Sequence, residues 1–393
     1  MNHFSRRTDW DISANELTVM RNRLRRERTP VLDLTVSNPS LCGFDYPAEW
    51  LTALSAPQNF NYTPDPQGLP QAREAVCEYY RGQGIDIDPQ NIFLTASTSE
   101  AYSFLFRLLT DPHDRVLFPK PGYPLFEFLC GLNDLQWGTY DLLDQGDQWV
   151  LSPDFPGAVT PDIRALILVH PNNPTGSVLD SREQNLIRKT ARERQIPLIC
   201  DEVFLDYPVK TSCPEYRSLA GRDDILTFVL GGLSKTLALP QMKLSWIVVN
   251  GPREQVREAR QRLEIITDTY LSLNTPVQNA LPLWLSQKNV IQDQIRARIR
   301  QNVETAGRIL EESNMEPCPV SAGWSLMIRL PENAAHEEDV VISLLQEQKV
   351  LVHPGYFFDV STGRYLVVSL LPETEIFAQG CRRIAAGLRQ RAG

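Results

Sequence analysis

Six short apolar runs alternate with helix-like stretches through the first two-thirds of the chain, and this alternation constrains the fold most. The runs are NIFLTA (91–96), RVLFP (115–119), RALILVH (164–170), IPLICDE (196–202), LTFVLGG (226–232) and KLSWIVVN (243–250). Each is nearly continuous rather than alternating, as strands are when helices cover both faces of a largely parallel sheet. Between them, residues 97–109 open with Ser97 and Glu100 at capping-box spacing, and residues 180–195 form an amphipathic pattern with an acidic start. The expected class is α/β, with a mostly parallel sheet between helices.

Beyond residue 284 the pattern changes. Residues 291–310 place Ile295, Ile299 and Val303 on one helical stripe, followed by strand-like runs at 323–331 and 364–371 around a helix near 338–348. This α+β tail predicts a smaller domain that recruits the N-terminal segment. The expected division is 45–284 for the large domain, and 1–44 with 285–393 for the small one.

Composition removes several function classes. A net charge of −9 argues against nucleic acid or an anionic membrane as the main partner, and no apolar run approaches membrane-spanning length. The basic stretch RNRLRRER (21–28) reads as a solvated helix face, and RGQGID lacks the third glycine of a dinucleotide fingerprint. Cysteines 42, 77, 130, 200, 213, 318 and 381 include no C-x-x-C pair, so reduced thiols are expected rather than disulfides or a metal site. With no apolar leader core in MNHFSRRTDWDIS, a cytoplasmic enzyme is expected.

Ligands of parallel sheets bind beyond the carboxyl ends of the strands. Those ends deliver Ser97, Thr98 and Ser99 at a helix start, then KPGYP, PNNPTG, Asp201 and GGLSK. Each has an ordinary structural role: a cap, a turn, a solvated lysine. Together they supply hydroxyls and helix N–H groups for a phosphate, an aromatic face, an amide donor, a carboxylate and an amine. A carboxylate for a pyridinium nitrogen and a lysine for an aldehyde are what pyridoxal phosphate requires.

At these residues the chain resembles the class I/II aminotransferases, the aspartate-aminotransferase-like fold type I of pyridoxal-phosphate enzymes. NYTPDPQGLPQAREAVCEYY (61–80), PKPGYPLFEF (119–128), PNNPTG (171–176), DEVFLDY (201–207), LSKTLALPQMKLSW (233–246) and VLVHPGYFF (350–358) fall in the family's order. The resemblance implies that Lys235 is the Schiff-base lysine and proton carrier, and that Asp201 pairs with the ring nitrogen. It implies Tyr123 stacked on the ring, Asn173 on the ring oxygen and near the substrate carboxylate, and Thr98, Ser99, Ser234 and Lys243 around the phosphate. Tyr62 resembles a tyrosine that reaches the neighbouring subunit's phosphate, which implies a homodimer with shared sites.

Four positions depart from the family pattern. Phe204 stands where a tyrosine usually donates to the ring oxygen, and Gly232 where a serine often meets the phosphate. Lys243 replaces an arginine, a point charge in place of a fork, so weaker cofactor retention is expected. Val367 occupies the position of the arginine that grips the substrate carboxylate, while Arg364 points to the other face. Arg329, on the same strand face as Ser325, is the substitute candidate, against its ordinary reading as a surface arginine near a strand end; the alternatives are Asn173 with the backbone near Ser37, or a substrate without an ordinary α-carboxylate. The expected activity is amino transfer from an amino acid to a 2-oxo acid. The departures keep open a lyase, decarboxylase, cyclase or oxidase on the same fold.

Overall fold

The computed structural model describes residues 3–209, 216–313, 315–331, 334–360 and 362–392; Cys213 lies outside the described residues. In chain order the strands are β1 (Leu32–Asp33), β2 (Ile92–Thr95), β3 (Arg115–Lys120), β4 (Gln136–Asp144), β5 (Trp149–Leu151), β6 (Ile163–Val169), β7 (Leu198–Asp201), β8 (Thr227–Gly232), β9 (Ser245–Asn250), β10 (Ser325–Arg329), β11 (Val350–Leu351), β12 (His353–Pro354) and β13 (Tyr365–Ser369). Eight of them form one sheet in the order β2-β9-β8-β7-β6-β3-β4-β5.

All six apolar runs become strands of this sheet, and β6 shows why they read as continuous. Leu166 and Leu168 enter one core cluster while Ala165, Ile167 and Val169 enter another on the opposite face. Helices Thr98–Leu109 and Arg253–Tyr270 contribute Ala101, Leu105, Ala259 and Leu263 to the second cluster. The sheet is parallel from β8 through β4, but β9 runs antiparallel to both β8 and β2. The β8–β9 connection contains only a short helical turn, Leu233–Thr236, and a 3-10 turn, too little for the helical crossover that parallel neighbours need. Strands β4 and β5 lie outside the six runs because β4, next to the three-residue edge strand β5, keeps polar and partly exposed positions.

Helix Ser181–Arg194 begins with a full capping box: Asp180 accepts from the Arg182 and Glu183 N–H groups, and Glu183 returns to the Asp180 N–H. Helix Asn289–Glu311 buries Ile291, Ile295 and Ile299, but Val303 is only partly buried. A four-residue step overruns the 3.6-residue turn, so the stripe moves back to Asn302. The Asn302 amide donates to the Leu370 and Pro372 carbonyls, which anchors the chain after β13.

A smaller sheet, ordered β10-β13-β12, and the parallel pair β1-β11 complete the fold. Leu34 ties the N-terminal segment to this region: its N–H donates to Leu351 and its carbonyl accepts from Ser369. Among the described residues, no helix is long and apolar enough to cross a membrane and no cluster of ligating side chains could hold a metal.

Candidate active site

The carboxyl ends of β3, β6, β7 and β8 and the start of helix Thr98–Leu109 open onto one cleft of about 460 Å³, whose opposite wall comes from β10, β12 and β13. Ser37, Thr98, Ser99, Tyr123, Asn173, Asp201, Phe204, Ser234, Lys235 and Lys243 all line it.

Asp201 is buried at the end of β7, where its carboxylate accepts from the Tyr102 hydroxyl (3.1 Å) and the Val203 N–H (3.1 Å). Burial raises its pKa to about 6, against the opposing pull of these two donors and of the Lys235 charge. Burial also lowers the pKa of Lys235, and the charge of Asp201 only partly offsets it. The Lys235 Nζ lies over two aromatic faces, 5.2 Å from the Trp324 ring centroid and 5.7 Å from that of Phe204. Its main chain is held from below. Tyr207 donates to the Lys235 carbonyl (2.5 Å), Gln292 to that of Thr236 (2.8 Å) and Tyr46 to that of Ala238 (2.7 Å).

In the PNNPTG turn the two asparagines divide the work. The Asn172 amide donates to the Pro121 carbonyl (3.2 Å) and accepts from the Thr175 hydroxyl (2.8 Å), so it joins this turn to the Tyr123 loop. Asn173 lines the cleft, and its Oδ1 accepts from Ser325 (3.2 Å), which leaves the Nδ2 donors for a ligand. Gly176, at φ +66°, accepts from the Ser321 and Ala322 N–H groups. A Cβ there would meet Val320 at 2.4 Å, so only glycine lets the segment leading to Trp324 and Ser325 approach so closely.

At the other end of the cleft, the Ser97 hydroxyl accepts the Glu100 N–H (3.1 Å), and the Glu100 carboxylate reaches the N–H of Ala96, one residue beyond the expected capping-box partner. This cap leaves the first-turn N–H groups at Thr98 and Ser99 without intrahelical acceptors, a site suited to an anion. Gly232 pairs with Ser245 on β9, and both line the cleft. Lys243 sits nearby at φ +53°.

Two expected site residues are not brought to the cleft. The Arg329 guanidinium is taken by Asp144 (2.6 and 3.2 Å) and Glu316 (3.1 Å), away from the lining residues. Asp144 also accepts from Tyr365 (2.8 Å), so these contacts tie β4 to the smaller sheet. Tyr62 is exposed, beside Leu271 and Ser272 and outside its own chain's cleft. Arg364 donates to the Ala334 carbonyl. Val367 does line the cleft, as expected for its position.

Sequence reasoning missed Tyr102, Trp324, Ser245 and His353. Tyr102 lies one helical turn beyond the strand end that drew attention to Thr98. Trp324 stands one residue from Ser325, in a run read only as a strand. Ser245 and His353 reach the cleft through strand pairings that one-dimensional patterns do not contain.

The family model for aminotransferases of class I and II matches residues 29–383. The glutamate-pyruvate aminotransferase of Escherichia coli (strain K12) is 27% identical over 364 residues, which cover 90% of this chain and 89% of that protein. An alanine aminotransferase of Mycobacterium tuberculosis (strain ATCC 25618 / H37Rv) is 27% identical over 380 residues, covering 92% and 86%. Among solved structures, the alanine aminotransferase of Pyrococcus furiosus superposes with a TM-score of 0.88 at 24% identity, covering 99% of this chain and all of that one. A Thermus thermophilus aspartate aminotransferase double mutant gives 0.86 at 22%, covering 98% and 100%, and shares the fold.

Proposed function

This chain belongs to the aminotransferase class I and II family, and from that premise we propose that it transfers an amino group from an amino acid to a 2-oxo acid with pyridoxal 5′-phosphate as cofactor. The observation that carries the reading is buried Asp201 and half-buried Lys235 at adjacent strand ends of one cleft.

The cleft fits this cofactor. A buried carboxylate whose pKa is raised by desolvation needs a cationic partner, and a protonated pyridine nitrogen is one. The first-turn N–H groups and the hydroxyls of Thr98, Ser99 and Ser234, with Lys243, would hold the phosphate. Tyr123 would face the ring, and the Nδ2 of Asn173 would donate to its oxygen. Beside that oxygen, Phe204 offers no donor of its own.

Bound there, pyridoxal phosphate supplies the aldehyde that takes the amino group and the ring that accepts electron density as the substrate Cα–H bond breaks. The protein holds and moves the proton. Burial favours the neutral Lys235 amine, which is the form that accepts a proton. The Trp324 and Phe204 rings flank Nζ, while Tyr207 and Gln292 fix the main chain that carries it. Asp201 would hold its charge against the ring nitrogen, and Tyr102 and the Val203 N–H fix its orientation.

The same reading makes the protein a cytoplasmic homodimer. Exposed Tyr62 supports a site completed by a second copy, and the six described cysteines, all free and buried, support a reducing compartment. Residues 45–284 form the proposed cofactor domain, and 1–44 with 285–393 the small domain.

The relatives' names make alanine and glutamate the first donors to assay, with pyruvate and 2-oxoglutarate as acceptors. Purified protein loaded with cofactor should convert a donor to its oxo acid while the cofactor becomes pyridoxamine phosphate, identified by mass spectrometry. Persistent visible absorption with no pyridoxamine phosphate across a panel of amino acids would reject amino transfer.

A further inference from the structure

We infer that the His353 imidazole holds the carboxylate of the substrate in this cleft. The inference rests on the amino-transfer reading and assigns the group that positions the acid end of the molecule.

Three cationic or potentially cationic side chains line the cleft: Lys235, Lys243 and His353. The two lysines flank the short β8–β9 connection on the large-sheet side. His353 is the only ionisable residue lining the wall built from the smaller sheet and the N-terminal segment, where Thr35, Ser37, Trp324, Ser325 and Val367 are its neighbours along the cleft. An acidic group directed away from Lys235 therefore finds one cation-forming side chain, and it is His353.

The position is set by strand pairing. His353 on β12 lies directly opposite Val367 on β13, and both line the cleft. Opposed residues of antiparallel strands carry their Cβ atoms about 5 Å apart on the same face. The apolar Val367 leaves room beside the imidazole and offers no competing donor. Phe357 and Phe358 pack on the ring, with centroids at 5.7 and 5.9 Å, and restrict its rotation. Among the described residues, neither ring nitrogen has a hydrogen-bond partner. Across the cleft, Asn173 presents unused Nδ2 donors, because Ser325 occupies its Oδ1. In the proposed arrangement the carboxylate takes an imidazole donor on one oxygen, and the Asn173 amide is the second donor lining the same cleft.

Without a ligand the ring is held neutral, a single N–H donor: burial above all lowers its pKa below the ordinary imidazole value, Asp33 on β1 raises it and Arg21 on helix Glu16–Arg26 lowers it. A carboxylate in contact adds negative charge and favours the imidazolium. The Asp33 carboxylate is itself engaged by the Thr35 hydroxyl (2.5 Å) and N–H (2.8 Å), which hold it in the wall.

The test compares wild-type holoenzyme with His353→Gln, His353→Asn and His353→Arg. Binding of succinate and of acetate is measured by calorimetry, and steady-state kinetics use the best donor and its oxo acid. The Gln and Asn variants should weaken carboxylate binding and raise KM by about ten- to a hundredfold, with kcat changed only a few-fold. His353→Arg should restore binding to within a few-fold, which a merely structural role would not produce. Unchanged carboxylate affinity in both neutral variants would overturn the assignment. So would lost kcat at unchanged KM, or an Arg variant as weak as the Gln variant. If wild type transfers no amino group, the amino-transfer reading fails by itself, while calorimetry still decides whether His353 binds carboxylates.

Discussion

Gly232 and Ser245 face each other on β8 and β9 so closely that a Cβ on Gly232 would lie 2.3 Å from the Ser245 Oγ and 3.1 Å from its Cα. The hydroxyl missing from the LGGLSK run is thus supplied from the neighbouring strand, and glycine is what makes space for it. Both residues line the cleft near Lys243, where the phosphate is proposed to sit.

Ser245→Ala should weaken retention of pyridoxal phosphate by about ten- to a hundredfold, the value of one hydrogen bond to a charged group. Gly232→Ser should destabilise the fold by about 1 to 3 kcal/mol through overpacking. The double variant Gly232→Ser/Ser245→Gly exchanges the donor between strands and should recover most of both losses. Cofactor dissociation constants and thermal melts measure these effects. A single Gly232→Ser variant as stable as wild type would contradict the packing account.

Lys235→Ala should lower turnover by at least about a thousandfold, because it removes both the amine and the proton carrier. Borohydride treatment of wild-type holoenzyme followed by peptide mapping should place the reduced cofactor on Lys235. Label on any other lysine would reject the assignment.

Phe204→Tyr tests the missing donor. Phe204 lines the cleft with its ring edge against Trp324 at 5.5 Å, so a para-hydroxyl projects from a side chain that is already fixed. If that hydroxyl reaches the ring oxygen, it stabilises the deprotonated form, and the pH midpoint of the cofactor's visible band should fall. The opposite sign, or no movement, would place Phe204 away from that oxygen.

Which residues line the cleft was legible where it depends on residue type at a strand end. Lys235, Asp201 and Asn173 are polar groups at the ends of strands buried on both faces, a position open to a ligand. What was not legible depends on neighbours distant in sequence. Periodicity put Arg329 on the face of Ser325, but nothing local announced that Asp144, across 185 residues, would claim its guanidinium. The Gly232–Ser245 and His353–Val367 pairs are facts of register, and register appears only once the strands are paired. The antiparallel turn of β9 followed from the shortness of its connection, which a run-by-run reading of strands does not weigh.

Arg329→Ala should therefore act on stability rather than on substrate affinity. The Asp144 carboxylate is largely covered, and burial alone would raise its pKa; Arg329, the Gly146 N–H and Tyr365 together hold it below the ordinary carboxylate value. A carboxyl group with a depressed folded pKa stabilises the fold above its unfolded pKa, and the contribution disappears as pH falls through the folded value. Arg329→Ala should cost about 1 to 3 kcal/mol near neutral pH. The difference from wild type should begin to shrink below about pH 4, as the unfolded chain takes up the proton, and vanish at lower pH once Asp144 is protonated in the folded protein as well. Urea melts at several pH values measure this, alongside KM for carboxylate substrates, which should stay within about twofold of wild type. A large rise in KM with unaltered stability would return Arg329 to the substrate site and displace His353 from it.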